Sequence, residues 1–184
     1  METRTEATLA DLYHAPDDSG AFELVDGRLV HMSPTGSDPN HVALVIAASL
    51  LAYERETGSG RAGTDNLGYV VNLPQRKSFS PDASYTFQLP TNRMRFIEGA
   101  PAFAVEVRSE NDYGSAADTE YAAKRRDYFA AGTVVVWDVD TRARIVESFH
   151  AADPDTPRLF RAGDTADAEP ALPGWRVVVD ELFR

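Results

Sequence analysis

Ala102-Phe103-Ala104-Val105-Glu106-Val107-Arg108-Ser109 sets one carboxylate inside an apolar strand pattern, and the segments on either side make it a candidate site. Upstream, Ser80-Pro81-Asp82 puts an acid straight after a proline and just before the strand-like Ala83-Ser84-Tyr85-Thr86-Phe87. Downstream, a helical pattern from about Ala116 to Ala131 carries Glu120, Lys124 and Tyr128 and is closed by Gly132. The apolar run Val134-Val135-Val136-Trp137 follows, then Asp138-Val139-Asp140. Two carboxylates on neighbouring strands, with a cation on the next helix, suit a hard metal ion and phosphodiester chemistry.

Each of these residues also has a plainer reading. Strict alternation puts Glu106 on the face of Ala104, opposite Phe103, Val105 and Val107, so one face is expected to be wet and Glu106 to point into solvent. Asp82 reads equally as a strand-end aspartate. Lys124 lies at the edge of the Ala117–Tyr121–Tyr128 stripe, where it either aims its ammonium at a site or pairs with Glu120 one turn back. Only two of the 18 basic residues are lysines, Lys77 and Lys124, so Lys124 is not one of a generic background. Arg108 shares the Glu106 face and is either a phosphate contact or an ion-pair partner. His41 is a candidate phosphate or metal neighbour, or a locally satisfied helix-start histidine. Glu23 shares the face of Val25. If buried it needs a partner, as an accessory ligand or as half of a structural pair.

Outward from this centre, Phe22 to Met32 alternates around Asp26-Gly27, a hairpin signal. Asp38 as N-cap and Pro39 at the first helical position begin a helix to Thr57. It is apolar nearly all round from Val42 to Leu51, which predicts burial on most faces. Arg61–Asp65 and Gly68–Leu73 read as short strands, and Gln88–Gly99 as an exposed connection carrying Arg93 and Arg95. Thr133–Val139 and Ala143–His150 read as a strand pair around Asp140-Thr141-Arg142. Residues 1–20 read as a loose arm with one short helix from Leu9 to His14, ended by Ala15-Pro16-Asp17-Asp18-Ser19-Gly20, and residues 21–184 as one domain. The fold class is α/β (α+β), a mixed sheet flanked by helices with an N-terminal β-hairpin.

The chain has 184 residues and no cysteine, which excludes disulfides, thiolate metal sites and cysteine nucleophiles. The polar start Met1-Glu2-Thr3-Arg4-Thr5-Glu6 lacks an apolar signal core, and no apolar run is long enough to span a bilayer. The expectation is a cytoplasmic chain with no membrane segment. No Gly-x-Ser-x-Gly elbow, phosphate-binding Gly-x-x-x-x-Gly-Lys loop or His-Glu-x-x-His helix occurs. The net charge of −11 predicts weak and salt-sensitive nucleic-acid binding.

Taken in order, these segments resemble the PD-(D/E)xK nuclease superfamily, and within it the Uma-two family of restriction-endonuclease-like proteins. The resemblance rests on Glu23-Leu24-Val25-Asp26-Gly27-Arg28-Leu29, Met32-Ser33-Pro34, Pro81-Asp82 and Val105-Glu106-Val107-x-Ser109. It continues through Lys124-x-x-x-Tyr128-x-x-x-Gly132, Trp137, Asp140 and Leu172-Pro173-Gly174-Trp175. It implies a restriction-endonuclease-like core and a Mg²⁺-dependent endonuclease acting on DNA. Asp82 and Glu106 are the implied ligands of Mg²⁺, with Mn²⁺ as substitute, and Lys124 the cation beside the phosphate. The superfamily's usual lysine falls at Arg108, a departure. Glu23 and His41 map to the rim of the site, and a homodimer is implied by analogy with restriction enzymes. Thr133-Val134-Val135-Val136 lacks the acid that relatives often carry there. The other reading is a nuclease-like fold kept as a binding or assembly module.

Overall fold

The computed structural model describes residues 6–15 and 21–184. The first elements are α1 (Leu9–Tyr13), the hairpin strands β1 (Ala21–Val25) and β2 (Arg28–Met32), and α2 (Ser37–Thr57). Six short strands follow: β3 (Arg61–Thr64), β4 (Tyr69–Val70), β5 (Ser78–Phe79), β6 (Ala83–Thr86), β7 (Ile97–Glu98) and β8 (Phe103–Val107). After α3 (Ser115–Ala131) come β9 (Val135–Asp140), β10 (Ile145–His150) and β11 (Asp153–Phe160). The chain closes with β12 (Thr165–Asp167), β13 (Arg176–Val178) and α4 (Val179–Leu182).

The central sheet has six strands in the order β11-β10-β9-β8-β6-β3. Within this sheet only β8 and β9 pair in parallel, and α3 is the crossover that a parallel pair requires. Pro154 and Pro157, which lack a ladder N–H, lie in β11 at the sheet edge where that loss is tolerated. A small sheet, β5-β4-β7, joins the segment before Asp82 to the segment before β8.

Alternation along β8 and β9 sorts their side chains onto two faces, and both are covered. Phe103, Val105, Val107, Val135, Trp137 and Val139 pack with Val42, Ile46 and Leu50 of α2 and with Leu172, Trp175 and Leu182. Ala104 and Val136 pack on the other side with Tyr69, Phe79, Ile97 and Tyr128. Burying one such large side chain contributes about 1.5–3 kcal/mol. The expected wet face of β8 is therefore corrected: every residue of β8, Glu106 included, is buried. Alternation gives the face of a side chain but not whether a helix covers that face.

Five further readings change. The connection over Gln88–Gly99 is exposed only in part, because Ile97 of β7 is buried and paired with Tyr69. The N-cap of α2 is Gly36, not Asp38, which instead adds negative charge to the first turn. Burial of α2 is one-sided, because one sheet meets one face of it, and Leu44 and Leu51 remain exposed. The strand expected over Gly68–Leu73 is ladder-paired only at Tyr69–Val70. The arm is docked over its described part: Ala7 N–H donates to Gly27 O at 2.8 Å, and Tyr13 packs on Phe96 with ring centroids 4.6 Å apart. The expected loop over 16–20 lies outside the described residues.

Gly60 is one position where only glycine fits. Its φ is +73°, and a Cβ there would overlap the Tyr85 ring and sit 2.9 Å from Thr86 O. Gly60→Ala is expected to destabilise by about 1–3 kcal/mol. Gly58, at φ +63° with open space around it, supplies the backbone-only control in parallel urea melts.

Candidate active site

The β6–β8 ladder ends at Ala83↔Val105, and the Asp82 side chain extends it by one bond. Its Oδ2 accepts the Val107 N–H at 2.6 Å. Pro81, with no N–H of its own, is buried just before the strand and fixes how the chain enters it. Asp82 is thereby tied to the backbone next to Glu106. Its other oxygen, Oδ1, has no hydrogen-bond partner among the described residues.

Glu106 is held from α3. Lys124 Nζ donates to its Oε2 at 2.9 Å and the Tyr128 hydroxyl to its Oε1 at 2.6 Å. Lys124 and Tyr128 are four residues apart, so one face of α3 delivers both. The Tyr128 ring is stacked on Phe79, centroids 4.0 Å apart. The pairing of Lys124 with Glu120 does not form. Glu120 is exposed, while Lys124 turns inward to Glu106 and, at 3.1 Å, to Glu23 Oε1.

Glu23 comes from the hairpin and is buried. It accepts from Lys124, from Arg76 Nη1 at 2.6 Å and from the Ser80 N–H at 2.9 Å. Arg76 continues to Asp127 of α3 at 2.8 Å, where the Gln75 amide also donates. Through these partners Glu23 links the hairpin, the Asp82 segment and α3. Arg76 and Asp127 were not legible as participants, because each looks like a generic surface charge until the hairpin folds over α3.

Burial sets the electrostatics. It pushes the Asp82 carboxyl up to about 7, and the charge of Glu106 pushes the same way. Burial also raises Glu106 against the opposing pull of Lys124. In Glu23, burial raises the carboxyl, but Lys124 and then Arg76 outweigh it and leave it below the usual range. Lys124 loses by burial, yet its two carboxylates hold it charged, above the ordinary lysine value.

Arg108 is not at this centre. Its Nε and Nη2 make a two-pronged contact with Asp138, both at 2.9 Å, and Nη1 reaches Asp118 at 2.6 Å. Asp138 is the cross-strand neighbour of Glu106, so two buried acids sit side by side, each with its own cation. Of the two readings of Arg108, the geometry carries the ion-pair partner: it clamps β9 and α3 to the end of β8. His41 is also elsewhere. It lines a groove of about 420 Å³ with Asp38, Thr141, Arg144 and Phe183, and none of the Asp82, Glu106 and Lys124 side chains faces that groove.

A divalent ion fits this donor set. Asp82 Oδ1 is uncommitted, each Glu106 oxygen keeps a lone pair beyond its one hydrogen bond, and two crowded carboxyls are relieved by positive charge. Among the described residues no cluster of three His, Cys, Asp or Glu forms, so Asp82 and Glu106 are the two carboxylates on offer, and Mg²⁺ commonly takes only one or two.

Comparison with known proteins gives the family and the fold. The profile of the Uma2 family, described as "Putative restriction endonuclease", matches residues 9–180. The chain belongs to the Uma2 family. The fold is shared with a crystal structure from Anabaena variabilis ATCC 29413, described as "a putative nuclease belonging to DUF820". The two are 16% identical, with a TM-score of 0.76 over 96% of this chain and 97% of that one. No curated protein matches by sequence. Within the Uma2 chain, no helix among the described residues is long and apolar enough to cross a membrane.

Proposed function

We propose that this Uma2 protein is a Mg²⁺-dependent endonuclease that hydrolyses DNA phosphodiester bonds. One observation carries the reading: Lys124, delivered from α3, lies 2.9 Å from Glu106 Oε2, while Arg108, at the usual lysine position, is committed to Asp138. Asp82 and Glu106 would hold the ion. When bound, it supplies Lewis acidity and lowers the pKa of a coordinated water. Lys124 offers its ammonium to the charge that builds on the phosphate. Glu23 and Arg76 restrain Lys124, and Tyr128 fixes the Glu106 rotamer. The test is plasmid nicking at low salt by wild type in Mg²⁺, in Mn²⁺ and in chelator. Nicking in either metal and none in chelator is the expected result. A folded protein that leaves plasmid intact under all three conditions would move the assignment to a binding module.

The pH response follows from Asp82. Its folded pKa, about 7, lies above its ordinary value of 3.8, so between these limits the folded state binds more protons than the unfolded one. Stability is therefore lost as pH rises through this window. In chelator, Asp82→Asn is expected to raise Tm relative to wild type at pH 8 and to leave it nearly unchanged at pH 4. Asn keeps an acceptor for the Val107 N–H, so the comparison isolates the charge. Equal melting differences at both pH values would contradict it.

A further inference from the structure

The loop between β6 and β7 stands out in an acidic chain. No carboxylate occurs between Asp82 and Glu98, although the net charge is −11. The loop carries Arg93, Met94 and Arg95, all exposed, and Met94 is 94% exposed, the most of any large apolar side chain described. Neither guanidinium has an ion-pair or hydrogen-bond partner among the described residues. Arg95 sits over the Tyr13 ring, its Cζ 4.8 Å from the centroid.

The tip is presented on a fixed base. Thr86 Oγ1 bonds both the N–H and the carbonyl of Gln88, at 3.1 and 3.3 Å. Phe96 fills the space left by the missing side chain of Gly68 and packs on Tyr13. At the tip, Asn92 accepts from Met94 N at 3.0 Å through its side chain and from Arg95 N at 3.1 Å through its carbonyl. A cavity of about 640 Å³ lies behind the loop, with Glu98 the acid on its wall.

The small sheet that carries this loop packs on the face of the central sheet that holds Ala104 and Tyr128, the face of Glu106 and Lys124.

We infer that the Arg93-Met94-Arg95 tip is a duplex-DNA contact of this protein, with the arginines on phosphates and Met94 wedged into the minor groove beside a base step. Exposed apolar wedges flanked by arginines act on DNA in this way, unstacking a step and bending the helix. The inference rests on the nuclease reading for its partner, and it locates the basic footprint that the overall charge conceals.

The test uses the full chain in chelator, so that binding is read without cleavage. Equilibrium binding to a fluorescent duplex is measured against salt for wild type, Arg93→Ala/Arg95→Ala and Met94→Ala, with duplex bending read by end-to-end energy transfer. Losing two phosphate contacts is expected to lower the slope of log K against log salt by about 2. Met94→Ala is expected to keep that slope but to lose the bend. Unchanged affinity and slope in the double variant overturn the assignment. So does absence of duplex binding by wild type, and so does binding of a protein partner, rather than DNA, that depends on Met94. In the first of these cases, metal-dependent nicking by the same double variant at the wild-type rate would leave the nuclease reading intact without the loop.

Discussion

Lys124→Met is expected to lower metal-dependent DNA cleavage by about 10²–10³-fold, the usual cost of removing one preorganised donor to developing oxyanion charge. Methionine keeps most of the volume of the side chain, so packing on α3 changes little. The lost ammonium leaves Glu23 with Arg76 and the Ser80 N–H, and Glu106 with the Tyr128 hydroxyl. Glu106, already raised by burial, is free to take up a proton instead of remaining an unpaired buried charge. The fold is therefore expected to survive. Glu106→Gln should lose cleavage at least as far, because it removes one of two proposed ligands, and Lys124 still retains Glu23. Single-turnover rates at saturating Mg²⁺, with circular dichroism melts as the folding control, separate chemistry from stability. Wild-type rates in both variants would dismiss this centre.

Asp138→Ala is expected to act on stability. The Asp138 side chain is 1% exposed and takes two bonds from Arg108 and a longer one, 3.5 Å, from Arg125. Removing it leaves the Arg108 guanidinium with an exposed Asp118 as its one carboxylate, beside the Asp112 carbonyl at 3.3 Å, and a broken buried pair costs about 3–5 kcal/mol. For a chain of this size that lowers Tm by about 6–20 °C. Adding Arg108→Met to Asp138→Ala should recover much of the loss, since an apolar replacement of both partners of a buried pair is often neutral. A single variant that melts within about 2 °C of wild type would show that the clamp adds nothing. The released Arg108 also becomes able to approach Glu106, the cross-strand neighbour of Asp138, so residual cleavage by this variant reads out how far the clamp keeps a second cation away from the site.

The hairpin at Asp26-Gly27, the helix closed by Gly132 and the β9–β10 pair were legible because each is a local signal: a turn dipeptide, a left-handed cap, an alternation. Asp82 and Glu106 stood out by type and setting, an acid after proline and an acid in an apolar strand. Arg76 and Asp127 did not, because a charge in a polar stretch carries no mark of where it will be buried. The burial of Glu106, the one-sided burial of α2 and the docking of α1 were misjudged for a related reason. Periodicity assigns side chains to faces, whereas coverage depends on elements distant in sequence.

The sequence by itself determined the hairpin, the two long helices and the strands from β8 to β10, and the residue types from which a two-carboxylate centre could be made. It also set the choice at Lys124 and at Arg108 without deciding it. Tertiary structure alone decided which cation meets which acid. Two buried carboxylates on adjacent parallel strands need separate counter-ions. The crossover helix brings Lys124 to Glu106, while Asp138 is met by Arg108 from the end of β8 and, at 3.5 Å, by Arg125 from the same helix.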